Sequence, residues 1–283
     1  VDAAISKALG RARALLAAKH IDSAVIDADL LLSHVLHLKR IDLIIQRDRI
    51  LSPEELDSFN TLIGRRLKRE PVAYIIGEKE FFGRQFKVNP HVLIPRPETE
   101  LLVEQAIALA PKGSTIFEIG VGSGAVSISI LCERADLKGF GNDISMPSLA
   151  TSRANAGAHG VSDRLRLFAG NVMAGLRVLW PLIIANPPYI PLADETDLDD
   201  DVRRYEPRAA LFGGKDGLDI VKEIIKGLKG HLAPGGTLLM EAGIGQKDAI
   251  DTLVSSIDVL HVKTWVSDLA GIERVVIIER VHG

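Results

Sequence analysis

One cysteine, Cys132, stands in the whole chain of 283 residues, so an intramolecular disulfide is impossible. It follows the apolar helical stretch Val126 to Leu131, which predicts a buried structural thiol rather than a nucleophile. The eight histidines are scattered without metal-ligand spacing, so no metal is expected. Long hydrophobic runs are missing too: charge interrupts the apolar stretches, and no membrane-spanning helix is expected. The opening residues Val1-Asp2-Ala3-Ala4-Ile5-Ser6-Lys7 lack the charged-then-apolar layout of a signal peptide. A cytoplasmic protein is the expectation, and a first residue of Val rather than Met is compatible with removal of an earlier segment. Nor is there an excess of one charge. With 37 acidic and 34 basic residues the net charge is -3, so the chain has no overall basic field to grip a nucleic acid. Internal repeats and low-complexity segments are absent.

What is there is an ordinary globular composition, 47% hydrophobic and 25% charged. The length suits one large domain and one small one, with a core that needs neither disulfide nor metal. Residues 1–70 read as helices. Ile5, Leu9, Ala12 and Leu16 share one helical face, and Val25, Ala28, Leu32, Val35 and Leu36 share another. Ser52-Pro53-Glu54-Glu55 is a helix start with a capping box, followed by Leu56, Phe59, Leu62, Ile63 and Leu67 on one face. Pro71 is expected to end that helix. The basic group Arg65, Arg66, Lys68 and Arg69 is expected to complement its C-terminus.

From residue 72 the pattern changes. Tyr74-Ile75-Ile76-Gly77 and Phe81 to Val88 read as short strands with glycine-marked turns, a hairpin linker. Pro95 and Pro97 fix an extended approach, and Pro97 opens a helix through about Ala110. Beyond residue 113 strands alternate with helices. The expected strands are 115–119, 138–142, 165–169, 181–185, 236–241, 259–265 and 274–280, with helices between them such as 146–158 and 217–229. That alternation predicts an α/β fold with an open, mostly parallel sheet covered on both faces.

Three motifs carry the chemistry. Thr115-Ile116-Phe117-Glu118-Ile119 is a buried strand that runs into Gly120-Val121-Gly122-Ser123-Gly124 and then a helix from Ala125. Missing side chains let backbone approach a ligand, and the helix start offers free N–H groups. Asp143 ends the second strand, 23 residues after Gly120, where a carboxylate can accept both hydroxyls of a ribose. Its bland role is a cap for the helix starting near Ser145. Gly120, Gly122 and Ala125 also fit the dinucleotide pattern, so a nicotinamide enzyme and a methyltransferase both survive here.

Asn186-Pro187-Pro188-Tyr189 decides between them. It closes the fourth strand, Leu182 to Ala185, at the sheet edge where ligands bind. As a bare turn it would need no such placement. An NH2 group can be held by two acceptors, the Asn186 side-chain oxygen and the Pro187 carbonyl. These draw the N–H protons away as positive charge develops on nitrogen, and they aim that nitrogen at a methyl donor. The prolines stiffen the backbone, and Tyr189 offers a flat face to a planar amide or base. Hydride transfer has no use for such a group.

The chain resembles the class I methyltransferases, and more closely the peptide chain release factor glutamine methyltransferases. Besides the glycine loop and the tetrapeptide, the resemblance rests on Phe82-Gly83 with Phe86-Lys87-Val88, on Val92 to Leu101 with its Ile94-Pro95-Arg96-Pro97-Glu98-Thr99-Glu100 core, and on Asn142-Asp143-Ile144-Ser145. Tyr205-Glu206-Pro207-Arg208-Ala209-Ala210-Leu211 and Gly213-Gly214-Lys215-Asp216-Gly217-Leu218 complete it. The tetrapeptide alone is shared with adenine-N6 DNA methyltransferases, whereas the Arg96 and Glu206 segments are specific to protein-glutamine enzymes.

The resemblance implies a Rossmann-like seven-stranded methyltransferase sheet at 96–283, a helical substrate-docking domain at 1–71 and a β-hairpin linker at 72–95. It implies S-adenosylmethionine, leaving as S-adenosylhomocysteine, on Glu118, Gly120, Val121, Gly122, Ser123, Gly124, Asp143, Asn171, Val172 and Asn186. Asn186, Pro187 and Tyr189 would be catalytic, with Pro188, Arg96 and Glu98 also on the substrate. The implied substrate is the glutamine of the Gly-Gly-Gln tip of class I release factors. The alternatives are a ribosomal-protein glutamine, adenine N6 of nucleic acid, and a nucleoside-binding module without catalysis. Two positions depart from the family pattern. Glu118 stands where Asp is usual, with a reach that still suits the methionine amino group. Asn171 stands where an acid near the adenine is usual, and its side-chain oxygen suits the adenine amino group. The acidic run Asp194, Glu195, Asp197, Asp199, Asp200 and Asp201 reads as a solvated loop. It disfavours a polyanion beside the site, so DNA binding is not expected. Glu241 ends a strand at the ligand edge, either supporting the site or capping the strand.

Overall fold

The computed structural model describes residues 3–281. Val1 and Asp2, part of the opening segment considered above, lie outside the described residues, as do His282 and Gly283. The chain divides into two units: Val1–Gly77 with Asp199–Tyr205, and Glu78–Leu198 with Glu206–Gly283.

The first unit is helical: α1 (Ile5–Ala17), α2 (Ala24–Leu36), α3 (Arg40–Ile45), α4 (Pro53–Arg66), the single turn α5 (Val72–Ile76) and α9 (Asp200–Tyr205). Its core gathers the expected apolar faces, with Ile5, Leu9, Leu16, Ala28, Leu32, Phe59 and Ile63 all buried, except that Val25 lies off its expected face and is exposed. The capping box forms as read. Ser52 Oγ accepts the Glu55 N–H, and Glu55 Oε2 accepts the Ser52 N–H at 2.8 Å.

Four expectations need correction here. Tyr74-Ile75-Ile76 is a helical turn, not a strand. Pro71 opens that turn and Gly77, at φ 84°, closes it, while Ile75 is driven into the helical core. Burial on a helix-packed surface overrides the strand preference of Tyr and Ile. The helix before it ends at Arg66 rather than at Pro71. The basic group does more than complement that helix end. Arg65 Nη2 reaches Glu70 at 2.5 Å, and Arg69 Nη2 caps the Lys19 carbonyl at 2.7 Å. Arg66 is buried between two carboxylates, with Asp27 at 2.7 Å and Asp201 at 2.6 Å. The acidic run is accordingly not a plain solvated loop: Asp201 is an internal ion-pair partner, and Glu195 pairs with Arg208. Burying Arg66 without both acids would cost far more than a surface pair is worth.

The second unit begins with an antiparallel hairpin, β1 (Glu78–Phe81) and β2 (Arg84–Lys87). A 3-10 turn at Pro97–Thr99 leads into α6 (Glu100–Leu109). Then follow β3 (Thr115–Ile119), α7 (Ala125–Glu133), β4 (Lys138–Asp143), α8 (Met146–Ala158), β5 (Leu165–Ala169) and β6 (Trp180–Ala185). A 3-10 segment at Leu192–Asp197, α10 (Arg208–Leu211) and α11 (Asp219–His231) come next, then β7 (Leu232–Glu241), α12 (Lys247–Ser255), β8 (Leu260–Ser267) and β9 (Glu273–Arg280). The seven strands expected beyond residue 113 all form, with ends moved by a few residues.

The sheet order is β5-β4-β3-β6-β7-β9-β8. β9 runs antiparallel between β7 and β8, and the other pairings are parallel. An all-parallel dinucleotide sheet has no such inserted strand. Side chains alternate between two cores. Ile116, Leu182, Ile184 and Leu239 face α6 and α7 residues such as Leu102 and Ile128. Phe117, Ile183, Leu238 and Met240 face α11 and α12 residues such as Ile224 and Ile250. Burial on both faces explains why the strands read as continuous apolar runs. Cys132 lies on α7 and is half-buried rather than fully enclosed, with His159 O at 3.9 Å from its sulfur.

Candidate active site

β3 and β6 are parallel neighbours, with Ile119 level with Ala185. Gly120 and Asn186 therefore leave adjacent strand ends, where the chain order reverses and open α/β sheets bind ligands. A cavity of about 530 Å³ opens there. Glu118, Gly120, Val121, Gly122, Ser123, Asp143, Asn171 and Val172 line it, together with Arg96, Asn186, Pro187 and Pro188. Three expected site residues stand off its wall. Glu98 is exposed on the 3-10 turn. Gly124 serves packing: a Cβ there would come within 2.5 Å of Ser152 Oγ and 2.8 Å of Ile128 Cδ1. Tyr189 turns its hydroxyl away to donate to Glu241 Oε1 at 3.3 Å.

The glycine loop folds around Asp143. Its two carboxylate oxygens accept the N–H groups of Gly122 at 2.9 Å and Ser145 at 2.8 Å. Helix α8 is capped instead by Ser145, whose hydroxyl accepts the Ser148 N–H at 3.2 Å. Asp143 is thus free of the capping role and keeps acceptor capacity at the cavity. Glu118 accepts the Ser127 N–H at 3.0 Å and the Ser127 hydroxyl, both on Oε2. Burial raises its pKa to about 8, opposed by the Ser127 bonds and assisted by the nearby Asp143 charge.

The tetrapeptide is clamped by backbone. Ile190 N bonds Leu211 O at 3.0 Å, and Gly213 N bonds Ile190 O at 3.0 Å. A Cβ on Gly217 would lie 2.2 Å from Tyr189 O, so this loop approaches the motif as only glycine allows. Gln246 Nε2 ties the same Tyr189 carbonyl at 3.0 Å. Behind the motif, Asn186 Nδ2 donates to Thr99 Oγ1 at 3.2 Å, and Thr99 Oγ1 donates to Glu241 Oε2 at 2.7 Å. Burial raises the pKa of Glu241, against the lowering effects of its Thr99 and Tyr189 bonds and of Arg274. Burial beside Glu241 likewise pushes the Tyr189 phenol well above its ordinary value.

Residues 7–77 match the family described as PrmC N-terminal domain, and residues 97–200 match the methyltransferase small domain. The release factor glutamine methyltransferase of Geobacter sulfurreducens is 41% identical, over 96% of this chain and 95% of its own. That of Nitratidesulfovibrio vulgaris is 42% identical, over 96% and 94%. The chain belongs to the release factor glutamine methyltransferase family. A methyltransferase structure from Pyrococcus furiosus, 18% identical, shares the fold with a TM-score of 0.55 over 78% of this chain and 98% of that one.

Within this family member, several wall residues were not singled out for a role from the sequence. The segment read as linker supplies Phe81, Pro90, His91, Val92, Leu93 and Pro95 to the cavity. It is held there by Asn155, which exchanges hydrogen bonds with Lys87 N at 2.9 Å and Lys87 O at 3.0 Å, and by Ser148, which donates to His91 O at 2.8 Å. Glu206, buried at 4% exposure, accepts the Ile94 N–H at 3.1 Å and pairs with Arg96. Glu206 thus holds Arg96 at the cavity wall. The one available signal was that Thr99 and Glu206 both sit inside family-specific segments. Among the described residues no group of three His, Cys, Asp or Glu side chains is arranged to hold a metal, and no helix is long and apolar enough to cross a membrane.

Proposed function

We propose that the chain transfers a methyl group from S-adenosylmethionine to N5, the side-chain amide nitrogen, of the glutamine in the Gly-Gly-Gln motif of class I peptide chain release factors. The observation that carries this reading is the state of Asn186. Its Nδ2 is committed to Thr99, which leaves its oxygen as an acceptor at a cavity shared with the glycine loop.

The residues present fit the cofactor. Gly120 and Gly122 sit at φ 72° and 53°, leaving an open cradle with nothing within 4 Å of where a Cβ would stand. Asp143 would take the ribose hydroxyls, Glu118 the methionine ammonium, and Asn171 with Val172 the adenine edge. When bound, S-adenosylmethionine supplies a methyl group on a sulfonium, an electrophile. Asn186 Oδ1 and the Pro187 carbonyl accept the two N–H bonds of the substrate amide and orient its nitrogen. They also draw charge off that nitrogen as it turns positive, an electrostatic aid placed in advance. The amide proton leaves to water afterwards. Arg96, held by Glu206, borders the substrate side. Tyr189 acts through Glu241 and on the shape of the tetrapeptide.

The first unit, matched to the family's N-terminal domain, is assigned to docking the release factor. Peptide mass spectrometry of a class I release factor incubated with the chain and S-adenosylmethionine tests the reading. A methyl on the Gly-Gly-Gln glutamine is expected, and an unmodified glutamine would refute it.

A further inference from the structure

Asn186 works only if its carboxamide points one way, with oxygen toward the substrate. Nothing in the tetrapeptide itself sets that direction, since the two ends of a carboxamide are nearly the same size. Three residues behind it do. Glu241 ends β7, level with Asn186 because Met240 pairs with Ala185. Its side chain is 3% exposed, and each oxygen receives a hydroxyl: Thr99 on Oε2 at 2.7 Å and Tyr189 on Oε1 at 3.3 Å. Thr99, itself buried at 5% exposure, has one hydroxyl hydrogen, and the carboxylate takes it. Toward Asn186, at 3.2 Å, the Thr99 oxygen can then only accept. Asn186 must present NH2 to it and turn its oxygen to the cavity.

We propose that ionised Glu241, acting through the Thr99 hydroxyl, fixes the orientation of the Asn186 carboxamide and so sets the direction of the substrate clamp. Both are positioning residues, and the proposal rests on the function given above. Protonating Glu241 on Oε2 reverses the chain: the acid donates to Thr99, whose hydrogen becomes free to seek the Asn186 oxygen. The flipped amide would offer donors to a substrate that also offers donors. The charged and titratable groups facing Glu241 are Tyr189, Arg274 and Glu98, and Arg274 is itself paired with Asp268 at 3.0 Å. Burial makes ionisation of Glu241 harder, so the device fails on the acid side.

Two readouts test this on the full chain. In steady state, Thr99→Val should lower kcat about tenfold with the S-adenosylhomocysteine Kd unchanged, the scale of one lost orienting hydrogen bond. Thr99→Ser should restore most of the rate. Wild-type kcat should fall as pH drops through the Glu241 titration, and Glu241→Gln should lose that limb. The second readout needs no substrate. The side-chain NH2 resonances of Asn186, identified by their loss in Asn186→Ala, should shift with pH in wild type and Thr99→Ser but not in Thr99→Val or Glu241→Gln. A pH-independent Asn186 signal in wild type, or full kcat in Thr99→Val, overturns the proposal. An intact Asn186 response without methyl on glutamine refutes the substrate assignment alone and leaves the orientation device standing.

Discussion

Asn142 Nδ2 donates to the carbonyl of Val172 at 2.7 Å, and Val172 is held at φ 48°. A left-handed backbone is an outlier for a β-branched residue and persists only where its surroundings impose it. Asn142 is 2% exposed and lines the cavity with Asn171 and Val172, the pair proposed above for the adenine edge. Asn142→Ala removes the bond and should let the turn relax. S-adenosylhomocysteine binding should weaken about fivefold to tenfold, the value of one buried hydrogen bond. The KM for the protein substrate should stay put. Calorimetry with the product and steady-state kinetics measure both.

Glu118 gives a pH signature. Unfolded it titrates near 4.5, folded near 8. Between those values the folded state holds a proton that the unfolded state has lost. Its contribution to stability is therefore full below 4.5 and is lost as pH rises through 8. Glu118→Gln cannot titrate, so its stability relative to wild type should rise across that window in urea melts. A cationic methionine ammonium favours the ionised form. Product binding to wild type should release a proton and tighten as pH rises toward 8, and the variant should show neither effect.

Arg66 makes a third case. It sits at 4% exposure between Asp27 and Asp201, with the Glu70 carbonyl at 3.2 Å. Arg66→Ala leaves Asp27 buried without its cation and should cost about 3–5 kcal/mol in chemical denaturation. Asp201 is the more exposed partner, so Asp201→Ala should cost roughly 1 kcal/mol. Its clearer effect should be faster hydrogen exchange confined to 199–205, read by mass spectrometry.

The sheet was legible because its central strands are buried on both faces and punctuated by glycine, as in Thr115 to Ile119 before Gly120. The glycine loop, Asp143 and the tetrapeptide were legible because their chemistry is local. What escaped the sequence is tertiary. Tyr74 to Gly77 looks like a strand until the helical core pulls Ile75 inward. Asp201 looks solvated until Arg66, far away in the chain, pairs with it. Thr99 meets Asn186, and Glu206 meets Arg96, only after folding, so no spacing announces their roles. Of the two roles read for Glu241, its bonds to Thr99 and Tyr189 favour support of the site. Glu98 drew notice through its motif, yet its side chain faces solvent.

The most direct measurement offers the chain four acceptors with methyl-labelled S-adenosylmethionine. These are a class I release factor, the same factor with its Gly-Gly-Gln glutamine replaced by alanine, ribosomal protein, and duplex DNA. The label is then mapped. The expected result is label on the glutamine N5 of the first acceptor alone. It should vanish in Asn186→Ala while product binding persists. Label on adenine N6 or on ribosomal protein instead, or transfer that survives Asn186→Ala, would contradict the clamp on a side-chain amide.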